Sequence, residues 1–233
     1  MNQLKSNKTK NSIILGLFIV LIGSILFWFP PVYKSVLSQD FELRNYSMQF
    51  VDWIFVGLII CFILFGEKNK LSTLNIKKIN SESFSLGMAL GGLSMIYIVI
   101  HKLFLASYFE FGFESFPQND NLGIDTVGPE FIFVYGIFNV ITAGVAEEVI
   151  YRGYATERLL MLKANKFLVF LLPLIAFVLM HYRKGFEHMI LVIIVGTLFQ
   201  LFYIKYRNLT ITIIGHLLID SLAYTSILIE HFK

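Results

Sequence analysis

Residues Pro129 to Arg152 read PEFIFVYGIFNVITAGVAEEVIYR. Pro129–Ile150 is an apolar run near the length that crosses about 30 Å of hydrocarbon as a helix. At its end stand Glu147, Glu148 and Arg152 in the pattern EExxxR. Ionisable groups placed against lipid are costly, so an apolar span that keeps them is a candidate for function by default. On a helix, Glu148 and Arg152 stand at i,i+4, share a face and can neutralise each other. Glu147 is turned about 100° away and stays free for other work.

The surrounding sequence shows which solvent this run meets. Of 233 residues, 56% are hydrophobic, 16% aromatic and only 15% charged, and the mean hydropathy is +0.70. A soluble domain carries about 25% charged residues, so too few are present here to cover a water-facing surface. Twenty-four Phe and eleven Tyr would also be hard to hide in one soluble core. These values argue against a cytosolic globular enzyme, a disordered chain and a disulfide scaffold. They predict an all-α fold, a polytopic transmembrane helical bundle.

Seven spans follow: Ser12–Pro31, Phe50–Gly66, Phe84–Ser107, Pro129–Ile150, Phe167–His181, Met189–Ile204 and Leu209–Ile229. With the N-terminus inside, 13 of the 19 Lys and Arg fall in inner segments, as the positive-inside rule requires. No Lys or Arg occurs from Ala106 to Ile150, where acids dominate. This alternation is not a nucleic-acid patch. The N-terminal run is too long for a usual signal sequence and lacks a small-residue cleavage site, so it is expected to stay as an anchor. Small size and a composition rich in Lys, Asn, Ile and Phe point to a prokaryotic plasma membrane. The stretch Tyr108–Gly128 is expected to be a loop, and the lone Cys61 a packed thiol. Gly87 and Gly91, and the patch Ala143, Gly144 and Ala146, suit close helix packing. Pro173 should kink the fifth span. Lys102 is expected to snorkel, and His101 to be a satisfied polar group rather than a ligand.

Two further motifs lie in later spans: Phe177 to His181 reads FxxxH and His216 to Asp220 reads HxxxD. Phe177 lies one turn before His181, where it can pack beside the imidazole, and His216 and Asp220 project from one side of a helix. By composition, EExxxR is expected roughly 0.01 times in such a chain, but FxxxH, and HxxxD or HxxxN taken together, about 0.4–0.5 times each. Their order and their three separate apolar settings carry the weight. As bare residues they also fit a helix end at the inner interface, with the histidines as interhelical hydrogen-bond partners. HExxH, GxSxG and GxGD are all absent from the sequence, which removes a zinc peptidase of that type, a serine nucleophile and an aspartyl pair.

Taken together, EExxxR, FxxxH and HxxxD in successive hydrophobic segments resemble the CPBP family, the CAAX-protease and bacteriocin-processing membrane peptidases also called the Abi family. The resemblance covers about Glu130 to Ile229. It implies N-terminal anchor spans and loops over residues 1–128 and a catalytic core over 129–233. The implied activity is that of an intramembrane endopeptidase acting on a membrane-associated peptide or protein. Processing of a peptide pheromone or bacteriocin, and self-immunity, are the roles known in bacterial relatives. On the same resemblance Glu147 is the general base that activates water and His181 helps to hold that water. His216 and Asp220 take the positions that stabilise the oxyanion, and Glu148 with Arg152 orients the motif helix. The Asn alternative in the family can donate directly, but an ionised Asp220 cannot, so Asp220 would orient or charge His216, or itself be protonated. No cofactor is required, yet Glu147, His181 and His216 are also a donor set for zinc, and both mechanisms stay open. The implied partners are membrane lipids and the peptide substrate. The rival is a non-catalytic immunity or regulatory protein that binds a partner in the bilayer.

One expectation conflicts with another. In a straight antiparallel hairpin of these spans, Glu147 and His181 would lie about 16 Å apart in depth. They can meet only if span four starts higher, the Arg152–Lys166 connection re-enters, or Pro173 tilts span five.

Overall fold

The computed structural model describes residues 7–28, 41–105 and 128–231. Every regular element among them is helical: α1 (Asn7–Trp28), α2 (Phe41–Cys61), α3 (Ser81–Ile100), α4 (Pro129–Ile141), α5 (Glu157–Met161), α6 (Lys166–Met180), α7 (Phe186–Tyr206) and α8 (Leu209–His231). Short π turns, Phe62–Gly66 and His101–Leu105, prolong α2 and α3. A longer π segment, Thr142–Thr156, joins α4 to α5, so that Pro129–Met161 is one helical element of 33 residues. Six helical stretches are long and apolar enough to cross a membrane, and α6 is a shorter apolar helix. The all-α polytopic bundle is therefore the observed architecture.

Local sequence accounts for the ends. Asn80 caps α3 by accepting from Ser83 N at 2.8 Å, while the Ser83 hydroxyl accepts from Asn80 N at 3.0 Å, a reciprocal capping box. Pro129 opens α4 just inside its first turn, where a missing N–H costs nothing. Asn165 accepts from Phe167 N at 2.8 Å and starts α6. Between α6 and α7 the chain reverses through a 3₁₀ turn, Tyr182–Lys184, and Gly185 at φ 90°, a conformation that only glycine adopts without strain.

Large apolar side chains point outward all round, among them Phe18, Phe65, Ile96 and Leu103, each more than 60% exposed. Lipid, not water, is the solvent such a surface suits. Inside the bundle α8 runs against α3, the π segment and α4. Small residues set these crossings. A Cβ on Gly87 would come within 2.7 Å of Ile214, and one on Gly91 within 2.9 Å of the Gly215 carbonyl. A Cβ on Gly144 would meet Leu217 at 2.6 Å. Both small-residue patches thus pack on α8 on either side of His216.

Several expectations change. The EExxxR motif does not end its helix, because the helical element continues to Met161. Thirty-three residues exceed a straight crossing, and π winding takes up more residues per turn, so Glu147 sits well inside the element. The connection to α6 is a tight turn, with Ala164 N donating to Leu159 O at 3.0 Å. At 15 residues, α6 rises only about 22 Å, which leaves His181 short of a full crossing. Together these features remove the depth conflict. Pro173 lies buried inside α6. Cys61 is exposed on the outer face of α2 rather than packed, since the neighbouring Ile59 and Ile63 take the inward positions. His101 is fully buried, its Nε2 2.7 Å from Glu187 Oε1 and its Nδ1 3.1 Å from the Tyr97 hydroxyl. Lys102 is exposed. The expected loop Tyr108–Gly128 lies, apart from Gly128, outside the described residues.

Candidate active site

The motif helix supplies two adjacent acids with different surroundings. Glu148 is fully buried, and its Oε1 accepts from Arg152 Nη1 at 2.9 Å and from His216 Nδ1 at 2.9 Å. Arg152 is held further by the Gly196 carbonyl at 3.4 Å and lies 4.2 Å above the Phe177 ring centre. Its charge is therefore spent on one carboxylate, one carbonyl and an aromatic face. Glu147 is also buried, yet its Oε2 has no hydrogen-bond partner among the described residues. The nearest basic group is His216 Nε2, 3.8 Å away.

His216 is the hub. A carboxylate only accepts, so Nδ1 donates to Glu148 and Nε2 faces Glu147 and, at 3.6 Å, Asp220 Oδ2. Phe199 contacts the imidazole with ring centres 5.5 Å apart. The bond on Nδ1 belongs to Glu148, and Asp220 lies beside the other ring nitrogen. Glu148 accordingly does more than pair with Arg152.

His181 follows α6 directly, and its Nδ1 donates to the Phe177 carbonyl at 2.8 Å. In the neutral ring this leaves Nε2 unprotonated and able to accept. The Phe177 ring contacts both imidazoles, with centres 4.9 Å from His181 and 6.4 Å from His216. Phe177 also meets Tyr151 edge-on at 5.4 Å. His188 on α7 faces His181 with ring centres 5.5 Å apart. The structure thus gathers Glu147, Glu148, Arg152, Phe177, His181, His216 and Asp220 around one buried region. Among the described residues, no three His, Cys, Asp or Glu side chains converge closely enough to hold a metal ion. Glu147, His181 and His216 in this arrangement do not form the ligand set considered for zinc.

Residues 129–222 match the family model described as type II CAAX prenyl endopeptidase Rce1-like. Over this stretch the chain is similar to that family. No curated protein and no solved structure matches the chain. The matched stretch contains all three motifs and ends two residues past Asp220, in agreement with the CAAX-protease resemblance.

Other residues, outside the matched stretch and within it, add groups that the motifs do not reveal. On α2, Asp52 is buried. Its neighbours fix α2 against the motif helix: Gln49 Nε2 donates to Asn139 Oδ1 at 2.7 Å, and Trp53 Nε1 to Thr142 Oγ1 at 2.9 Å. One helical turn beyond the site lies a second buried ion pair. Arg158 reaches Glu67 with Nη2–Oε2 at 2.7 Å and Nε–Oε1 at 3.1 Å, and the Tyr154 hydroxyl donates to the same carboxylate at 2.9 Å. Glu157 accepts from the Tyr203 hydroxyl at 2.5 Å and pairs with Arg207. Ending the span at Ile150 placed Glu157 and Arg158 in a loop. Counting on in helical steps from Arg152 would have exposed them.

Proposed function

We propose that the protein is a membrane-embedded endopeptidase in which Glu147 activates the water that attacks a peptide carbonyl. The observation that carries this reading is the different engagement of the two acids. Each has a buried, unbonded Oε2, but Glu148 is held through Oε1 by Arg152 and His216, whereas Glu147 has only His216 Nε2 nearby, at 3.8 Å. A buried carboxylate left without a donor is costly, and a water held there would supply one.

In this mechanism Glu147 takes one proton from the water and the oxygen adds to the carbonyl carbon. His181 accepts the water's other hydrogen at Nε2. The oxyanion forms beside His216, which in its doubly protonated form donates Nδ1–H to Glu148 and presents Nε2–H to the substrate. Asp220 and Glu148 offset the charge of that imidazolium. When the tetrahedral intermediate collapses, the C–N bond breaks and Glu147 passes its proton to the leaving amine. One water is consumed, a carboxylic acid and an amine are formed, the acid's proton passes to the amine on release, and the site returns to its starting state.

The substrate would be a peptide or membrane protein with its cleavage site near the bilayer. A role in pheromone or bacteriocin processing, or in self-immunity, belongs to this proposal. The test is incubation of the purified protein in lipid nanodiscs with candidate peptides, including a prenylated CAAX peptide, reading products by mass. Cleavage that is lost in Glu147→Gln and His181→Ala supports the proposal. Full biological activity of both variants at normal abundance would instead indicate an immunity or regulatory protein acting by binding. Loss of cleavage on chelation, restored by a metal, would replace the metal-free route.

A further inference from the structure

The reversal between α6 and α7 brings a further histidine against His181. The chain turns through Tyr182–Lys184 and Gly185, and α7 then runs back along α6. A Cβ on Gly196 would come within 2.9 Å of Leu174 and 3.1 Å of Phe177, so the two helices pass at close range. This lays the first turn of α7 against the end of α6. His188, in that turn, faces His181 with ring centres 5.5 Å apart and planes inclined at 31°. The steps of peptide hydrolysis leave His188 unused.

His181 has need of such a neighbour. It stands just past the last turn of α6, and its Nδ1 bond to the Phe177 carbonyl, at 2.8 Å, fixes one atom of the ring. A single bond lets the ring swing about that atom, and the swing displaces Nε2 on the far side. Phe177 limits it from one inclination, meeting the imidazole edge-on at 64° with centres 4.9 Å apart. His188 limits it from another. The start of α7 is itself tied down beside His188. Glu187 Oε1 lies 2.7 Å from Nε2 of the fully buried His101, whose Nδ1 is 3.1 Å from the Tyr97 hydroxyl on α3. That tie resists rolling of α7 at the point from which His188 projects.

We propose that His188 is a positioning residue, whose ring holds the imidazole of His181 at the angle that aims Nε2 at the attacking water. This rests on the endopeptidase reading above and adds to it the support of the group that holds the water. The contact is ring against ring, so a flat aromatic side chain at 188 can replace the imidazole, and a hydrogen-bonding amide cannot. A displacement of about 1 Å at a reacting group can cost on the order of 10²-fold in rate. Losing one of the two ring contacts should therefore slow the chemical step and leave peptide binding as it was.

The test compares His188→Ala, His188→Phe and His188→Asn with the unaltered full chain in nanodiscs. A prenylated CAAX peptide is the probe, and single-turnover rate, peptide affinity and unfolding temperature are read on each sample. The imidazole ¹⁵N signals of His181, identified by their absence from His181→Ala, supply a readout that needs no turnover. His188→Ala and His188→Asn are expected to slow cleavage about 10–100-fold, with affinity and unfolding temperature unchanged. Both should shift or broaden the His181 signals and spare those of His216. His188→Phe should stay within a few-fold of the unaltered rate and keep the His181 signals. A rate unchanged in His188→Ala overturns the role, as does a His188→Phe rate as low as that of His188→Ala, recovery in His188→Asn, or a joint fall of rate, affinity and unfolding temperature. Altered His181 signals in a protein that never cleaves the peptide would sink the endopeptidase reading and leave the positioning contact standing. Unaltered signals in such a protein would remove both.

Discussion

His216 Nδ1 and Arg152 Nη1 converge on the same oxygen, Glu148 Oε1, each at 2.9 Å. One carboxylate thus fixes the tautomer and rotation of the hub histidine, and it is in turn fixed by a buried guanidinium. Sequence spacing shows the Glu148–Arg152 bond, because both residues lie on one helix. It cannot show the bond to His216, which is 68 residues away.

Removing Glu148 should therefore damage both stability and chemistry. Glu148→Ala leaves Arg152 buried without its carboxylate, a change of the kind that costs about 3–5 kcal/mol. It also frees His216 to rotate. Thermal unfolding in detergent and peptide cleavage at a temperature where the variant stays folded should both fall. A variant that unfolds early yet cleaves normally would detach His216 from catalysis.

The α3–α8 crossing should tolerate no added methyl on its inner face. Gly87→Ala puts a Cβ within 2.9 Å of the Ile211 carbonyl, whereas Gly92→Ala meets nothing within 4 Å. The first should cost about 1–3 kcal/mol by overpacking. The second should be neutral or stabilising by up to about 1 kcal/mol through helix propensity. Unfolding temperatures of the two variants check the contrast. Equal shifts would mean that the close approach does not hold α8, and with it His216, in place.

The Glu67–Arg158 pair offers a double-mutant test. Arg158→Met alone strands Glu67 with Tyr154 and Asn69 as its remaining partners, at about 3–5 kcal/mol. Adding Glu67→Leu should recover much of that loss, because the stranded charge is gone. Additive destabilisation would contradict the assignment of this pair as a packed, mutually compensating unit.

The sequence made the membrane class and all three motifs legible because lipid leaves so few places for charge. Glu147, Glu148, Arg152, His181, His216 and Asp220 all stand out as polar groups inside apolar runs. What could not be read were relations across helices and changes of winding. The π segment Thr142–Thr156 has no composition that marks it, and it carried the motif helix past Ile150 to Met161. Asp52 stands at the start of its span, where the sequence does not distinguish a buried acid from one at the interface. Cys61 lies inside an apolar run, which suits a packed thiol, although which face a residue presents depends on neighbours far along the chain.

The central claim is that Glu147 carries the proton of the attacking water. Its most direct measurement is the single-turnover cleavage rate of Glu147→Gln at saturating peptide, with peptide affinity measured on the same sample. The predicted result is a fall of about 10²–10⁴-fold in rate, the usual contribution of a general base, with affinity unchanged. A rate within a few-fold of the unaltered protein would contradict the account.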